Sequence, residues 1–219
     1  MRGMLIIGFL LGVGLVATLL VAWPSDADRE RAKQEVDLTS GEIERALQAA
    51  TEAYRVIAEK KHSANRLKTD LEGLRRRLAL VRHSRRQVDE APLDSRWAEL
   101  DRLHELKETA RQLLVDARDF EARTAEIKRA LETFIPVLRE VAALREKLAD
   151  LEKQAATAND HPRVRALRAA IETSATKEEL VARALEAFST DLATGRVLEA
   201  TARNELDEVI RTMKELAGD

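Results

Sequence analysis

The stretch FEARTAEIKRALETFIPVLREV (residues 120–141) decides the fold class, because its apolar residues recur at alternating steps of four and three. This spacing places one stripe of side chains along a single helix face and is typical of helices that pack in bundles and coiled coils. Pro136 interrupts the stretch but not the spacing, so we expect it to kink the helix rather than end it. The predicted core positions are Phe120, Thr124, Ile127, Leu131, Phe134, Leu138 and Val141.

The same spacing continues through three long segments, residues 26–88, 94–158 and 163–218. They are separated by DEAPLDS (residues 89–95) and TANDHP (residues 157–162), which combine proline with aspartate or asparagine and therefore favour turns. Near-equal helices joined by short turns must fold back on one another. We therefore predict an all-α chain whose body is an elongated, coiled-coil-like, antiparallel three-helix bundle.

Several local signals modify this pattern. Two steps of three near Lys60 are interpreted as a stammer within a continuous first helix. T-x-x-E capping boxes begin at Thr39 and at Thr176. The first could start a new helix, or the chain could be helical from Ser25 onward, and the second makes a break or kink near Ser174 possible.

Two residues of the third segment have a specific packing role in this prediction. Gly195 falls on the core face, where the lack of a side chain would let helices approach closely. Glu199 occupies a position at the edge of the core where the spacing calls for an apolar residue. If Glu199 fills that position, the seven-residue period continues through the whole segment.

The composition is that of long helices, with 35% charged residues, 3% aromatic residues and only 8 Gly and 4 Pro among 219 residues. A formal net charge of −2 produces no overall field that would attract nucleic acid or an acidic surface. The chain has no cysteine, which excludes disulfides, thiolate metal sites and a cysteine nucleophile.

The N-terminal run MLIIGFLLGVGLVATLLVAW (residues 4–23) is uncharged and as long as a helix needs to cross a bilayer of about 30 Å. It exceeds the apolar core of a secretory signal and lacks the polar face of a buried soluble helix. We predict an uncleaved transmembrane helix, the alternative being a signal cleaved after Ala27. The predicted organisation is a tail at residues 1–3, the transmembrane helix at 4–23, a helical juxtamembrane segment at 24–41 and the bundle at 42–219.

Gly8 and Gly12 form a GxxxG pair that would let two such membrane helices associate, although glycine is also simply common in membrane helices. The orientation is less strongly indicated, because lysines and arginines beyond the run favour a cytoplasmic body. A short N-terminus before one early span is, however, the usual layout of a signal anchor. We therefore predict a single-pass protein with its body on the extracytoplasmic, periplasmic side.

Basic residues are concentrated between Arg55 and Arg86, where the sequence contains eleven lysines or arginines and three acidic residues. Either this stretch binds an anionic partner, or it pairs internally with acidic residues of the second and third segments. No interleaved aromatics are present to stack on bases, so nucleic acid is not the expected partner. The candidate contact residues are Arg75, Arg76, Arg77, Arg82, Arg85 and Arg86.

Catalytic and metal-binding signatures are weak. Glu59-x-x-His62 and Asp101-x-x-His104 have the spacing of helical metal ligands, but a bundle would hold them at different heights. No nucleophile triad, phosphate-binding glycine loop or HExxH motif occurs. We therefore expect no catalytic residue, no metal, no cofactor and no enzymatic activity.

The predicted function is that of a membrane-anchored scaffold, tether or assembly partner, which binds lipid through residues 4–23 and binds other proteins through its helical body. Self-association is possible. One alternative is a sensor whose helix packing responds to a ligand or partner, and another is an adaptor that spans an envelope gap.

Overall fold

A computed structural model describes residues 25–59, 65–90 and 96–218. These residues contain five α-helices and no strand, which confirms the all-α class and a helical bundle. The helices are α1 (Asp26–Glu59), α2 (Asn65–Glu90), α3 (Arg96–Thr157), α4 (His161–Phe188) and α5 (Leu192–Ala217).

The N-terminal run at residues 4–23 lies outside the described residues, and so does the Gly8–Gly12 pair predicted within it. Among the helices that the structure does describe, none is both long and apolar enough to cross a bilayer. The transmembrane helix therefore remains a prediction from sequence.

The first predicted segment is not one helix but two. The ion pairs Lys33–Asp89, at 2.8 Å, and Glu44–Arg82, at 2.7 Å, show that residue numbers rise along α1 while they fall along α2. The two helices are therefore antiparallel, and the irregular spacing at Lys60 falls between them. The stammer interpretation was wrong because a step of three in an apolar pattern fits a helix end as well as an overwound continuous helix.

The start of α1 is set by Ser25 rather than by Thr39. The amide of Asp28 donates a hydrogen bond to Ser25 Oγ at 3.1 Å, and the amide of Ser25 donates in return to Asp28 Oδ2 at 3.3 Å. This reciprocal arrangement is a capping box with aspartate in the third position. Thr39 lies within α1, where its hydroxyl donates to the carbonyl of Glu35 at 2.8 Å, so α1 continues without a break from Asp26 past the predicted boundary at residue 41.

The described residues divide into two compact units. The first contains the described parts of Met1–Ala46 and Gly73–Arg118, and the second contains those of Leu47–Glu72 and Asp119–Asp219. The helices α1, α2 and α3 each contribute to both units. Each unit is described separately below.

In the first unit, α1, α2 and α3 form a three-helix bundle. The pairs Glu35–Lys107 and Glu42–Arg118 rise together in number, so α3 is parallel to α1 and antiparallel to α2. A cluster of buried apolar residues includes one from each helix: Ala32, Val88 and Leu103.

In the second unit, α4 is antiparallel to α3, and α5 is parallel to α3. The ion pairs that define these directions are Arg145–Glu178 and Glu152–Arg168 for α3 with α4, and Glu126–Arg196 and Glu140–Lys214 for α3 with α5. Leu138 is half-buried, and the other core positions predicted on α3 are buried: Phe120, Thr124, Ile127, Leu131, Phe134 and Val141. Pro136 lies within α3 and does not end it, as the persistent spacing predicted.

The turn between α3 and α4 falls within the segment where a turn was expected. Asn159 adopts the left-handed conformation, with φ of 57°, which asparagine tolerates better than most residues. The amide of Asp160 donates to the carbonyl of Ala155 at 2.9 Å and that of Asn159 to Ala156 at 3.1 Å, the two bonds of a Schellman motif. Asp160 then caps α4 by accepting a hydrogen bond from the amide of Arg163 at 3.2 Å.

A second reversal, between α4 and α5, was not predicted. Ser189 and Thr190 form a short turn, and Asp191 caps α5 by accepting a hydrogen bond from the amide of Thr194 at 2.7 Å. Neither Ser174 nor Thr176 interrupts a helix, because both lie within α4. The three-helix prediction is therefore corrected to five helices within the described residues.

Candidate interaction surface

The surface predicted to bind a partner lies on α2, and helical spacing sorts its residues into two faces. Leu71, Leu74, Leu78, Val81 and Val88 are buried on one face. At 100° per residue, the opposite face carries Arg76, Leu80, His83 and Arg86, and all four are exposed. Leu80 has 65% of its area exposed, which is unusual for a leucine in the middle of a helix that packs in a bundle.

Three of the six predicted contact arginines form ion pairs with neighbouring helices of the first unit. Arg77 contacts Asp116 of α3 at 2.7 Å. Arg82 holds the carboxylate of Glu44 through both terminal nitrogens, at 2.7 and 3.4 Å, and this lowers the pKa of Glu44. These ion pairs connect α2 to α3 and to α1, although the Arg77 side chain remains 49% exposed.

Arg85 is the third engaged arginine. It contacts Asp89 on its own helix at 2.6 Å and Asp37 of α1 at 3.2 Å. Arg75, Arg76 and Arg86 are exposed, as is Arg77.

Arg77, Arg82 and Arg85 therefore pair internally, but only in part with the segments from which acidic partners were expected. Asp116 belongs to the second predicted segment, as expected for internal pairing, but Asp37 and Glu44 come from the first predicted segment itself. Sequence reasoning missed these partners because it placed α1 and α2 in one continuous helix. The antiparallel contact between the two helices is what brings α1 carboxylates beside α2 arginines.

A buried ionic cluster in the first unit was not predicted. Glu99 of α3 is only 8% exposed, and its carboxylate contacts Arg29 and Lys33 of α1. Lys33 also donates to Asp89 of α2, which raises the pKa of Lys33 and lowers that of Asp89. The hydrogen bond to Glu99 raises the pKa of Arg29. In the sequence, the only indication of this cluster is that opposite charges lie near the ends of three helices. That indication can be used only when the topology is already known.

The second unit has a comparable network between α3 and α5. Arg129 contacts Glu126 at 2.6 Å and Glu199 at 2.5 Å, and Arg196 contacts Glu126 at 2.6 Å. Hydrogen bonds from Arg196 and Arg129 lower the pKa of Glu126. Glu199 is buried at the edge of the core, at the position where the spacing calls for an apolar residue. Its charge is therefore offset by Arg129 instead of by solvent.

Several cavities open on the second unit. One of them, of about 600 Å³, is a groove between α4 and α5, which we call the α4–α5 groove. A cavity of about 340 Å³ lies between α3 and α4 beside Phe134 and Val181, and one of about 250 Å³ is bounded by Ile57, Leu67 and Leu185. Asp101 and His104 are exposed, His62 lies outside the described residues, and no three potential metal ligands come together within the described ranges.

The chain matches no protein-family model, and neither a curated protein nor a solved structure is significantly similar to it. The described residues alone define the class of the protein, which is an all-α helical bundle with an arginine-rich exposed face on α2.

Proposed function

We propose that this chain is a non-enzymatic, single-pass membrane protein whose helical body acts as a scaffold or tether for another protein. The observation that carries the proposal is the exposed face of α2, where Leu80 lies four residues after Arg76 and three before His83, with Arg86 about one turn further along. Arginine is enriched at protein interfaces because its planar guanidinium binds carboxylates with defined geometry while its stem packs against apolar groups.

Charge and shape favour an acidic partner surface with a small apolar recess. The recess would receive Leu80, and surrounding carboxylates would meet Arg76 and Arg86. This face belongs to a helix that is already folded in its bundle, so little backbone entropy is lost when the face binds.

The membrane part of the proposal rests on the uncharged apolar run at residues 4–23. In this arrangement the run anchors the chain, and the body extends on the extracytoplasmic side. Deleting residues 4–23 is expected to release the protein from alkali-washed membranes. A reporter enzyme fused after Asp219 would show which compartment holds the body.

Site-specific photocrosslinking of the full chain in cell membranes tests the partner surface. A benzoylphenylalanine at position 80 should form a defined covalent adduct with one protein, and Arg76→Glu combined with Arg86→Glu should abolish it. The matched control is the same photo-reactive residue at Val197 of α5, which is 67% exposed and should not form that adduct. Identical adducts at both positions, or an adduct that persists after charge reversal, would contradict the proposal.

A further inference from the structure

The α4–α5 groove exists because α4 presents small side chains to α5 at helical spacing. Ala166, Ala169, Ala170 and Thr173 fall three or four residues apart and leave space above α5. Buried Val209 and Met213 of α5, with Ala170, form its apolar floor. The lining runs from residue 166 to residue 177 of α4, about 16 Å at 1.5 Å per residue, which is the length of about three helical turns.

The rim of the groove carries unbalanced negative charge. Glu205 is neutralised by Lys177, whose Nζ lies 2.6 Å from its carboxylate. Glu208 and Glu215 also line the groove, and within the described ranges neither forms an ion pair. They are seven residues apart, so they project from one side of α5 about 10 Å from each other.

The end of α5 adds to this negative potential. Glu215 and Leu216 lie in the last turn of the helix, which ends at Ala217 with Gly218 in the left-handed conformation. Unsatisfied carbonyls at a helix C-terminus carry partial negative charge and favour cations nearby. The first α4 residue of the groove lies more than one turn after the N-terminus of α4. Because the electrostatic effect of a helix end fades within one turn, the partial positive charge of that N-terminus does not offset the negative rim.

We propose that the α4–α5 groove binds an amphipathic helix of a partner protein whose apolar stripe is flanked by lysine or arginine. The apolar stripe would contact Ala166, Ala169 and Leu216, which line the groove and keep accessible area above its buried floor. Cations seven residues apart would meet Glu208 and Glu215. Helix-in-groove recognition uses an apolar channel with complementary charge along its edge, and the groove has both. This inference goes beyond the proposed function and does not depend on the face of α2.

Two synthetic 18-residue peptides test the proposal. They share leucines at positions i, i+3, i+4 and i+7 but differ in carrying lysine or glutamate beside that stripe. The full chain is held in nanodiscs of zwitterionic phosphatidylcholine, and binding of each labelled peptide is measured by anisotropy after subtraction of empty nanodiscs. At low salt the lysine peptide should bind at least tenfold more tightly than the glutamate peptide. This difference in affinity should narrow as added salt screens the carboxylates of the rim.

Variants locate the binding site. Thr173→Trp should fill the groove without disturbing the core, because Thr173 is exposed, and should weaken the lysine peptide at least tenfold. Ala122→Trp, at an exposed position of α3, is the matched control and should leave the affinity unchanged. Glu208→Lys combined with Glu215→Lys should reverse the preference between the two peptides. Circular dichroism of each variant establishes that it remains folded.

Three outcomes would overturn the proposal. The first is equal binding of the two peptides, and the second is binding of the lysine peptide to Thr173→Trp as tightly as to the unaltered chain. The third is that neither peptide binds; a change of oligomeric state in Thr173→Trp would then identify a second copy as the occupant. Arg76→Glu should not affect the lysine peptide, so failure of the α2 surface and failure of the groove are distinguishable.

Discussion

The ring of Phe188, at the end of α4, occupies the space into which a side chain at Gly195 of α5 would project. A Cβ atom at position 195 would lie 2.4 Å from Cδ1 of Phe188 and 2.6 Å from its Cγ. Both residues are buried, and the short turn at Ser189–Asp191 joins their helices. The close approach expected of Gly195 is therefore confirmed, and its partner is the aromatic residue seven positions earlier.

Gly195→Ala should destabilise the second unit, although alanine is normally the better helix former. Alanine in a helix interior gains up to about 1 kcal/mol over glycine, whereas overpacking of a core costs about 1–3 kcal/mol. We expect a net loss of about 1–2 kcal/mol, measured by urea unfolding of the full chain in mild detergent.

Gly73→Ala is the control for this substitution, because no atom lies within 4 Å of a Cβ built there. It should be neutral or slightly stabilising. Phe188→Leu should lessen the effect of Gly195→Ala in a double-mutant cycle. Equal effects of alanine at positions 73 and 195 would show that the ring moves aside without cost.

Removing the charge of Glu99 should destabilise the first unit strongly. Glu99→Gln leaves Arg29 and Lys33 near the bundle interior without their shared anion, and we expect a loss of about 3 kcal/mol in the free energy of unfolding. The matched control is Glu59→Gln, since Glu59 and its partner Arg55 are both exposed and should contribute less than about 0.5 kcal/mol. Comparable losses in both variants would mean that water reaches the Glu99 cluster freely.

Acid should weaken the second unit through Glu126. Hydrogen bonds from Arg196 and Arg129 lower the pKa of this carboxyl below its ordinary value of 4.5. The folded state therefore binds its proton less readily than the unfolded state, so the stabilisation is present above pH 4.5 and is lost as the pH falls through the lowered folded-state pKa.

Unfolding curves between pH 7 and pH 3 test this dependence. Glu126→Gln should be less stable at pH 7 and should lose less stability on acidification than the unaltered chain. Glu132→Gln removes an exposed carboxylate that lies 4.0 Å from Lys128, and it should reproduce the wild-type pH dependence. If the stability of Glu126→Gln fell with pH as steeply as that of the unaltered chain, the acid sensitivity would belong to other carboxylates.

Pro136→Ala should stabilise α3. Proline in a helix interior lacks the amide that would donate to the carbonyl four residues earlier, and it costs about 3 kcal/mol relative to alanine. Pro136 is exposed, so alanine removes no buried contact. We expect a gain of about 1–3 kcal/mol by urea unfolding. A loss instead would indicate that a bend at Pro136 is needed for α3 to pack beside the cavity lined by Phe134 and Leu138.

The apolar spacing correctly predicted which face of each helix is buried, because burial along a helix follows a local period of 3.6 residues. It predicted the core stripe of α3 from Phe120 to Val141, and the cluster at residues 157–162 contains the turn before α4. It did not predict the reversals after Glu59 and at Ser189–Asp191. A seven-residue period can continue across a short turn, because the pattern records which face is apolar and not the direction of the chain.

The sequence by itself determined that this chain is helical, where its apolar faces lie and that arginines are concentrated in α2. Only the tertiary structure decided which of those arginines are engaged, since Arg82 and Arg85 meet Glu44 and Asp37 only when α1 and α2 are antiparallel. It likewise decided the pairing of Glu99 with Arg29 and the open groove beside Met213. The physical reason is that helix formation and amphipathicity depend on neighbours within two turns, whereas charge pairing and grooves depend on which distant segments become adjacent.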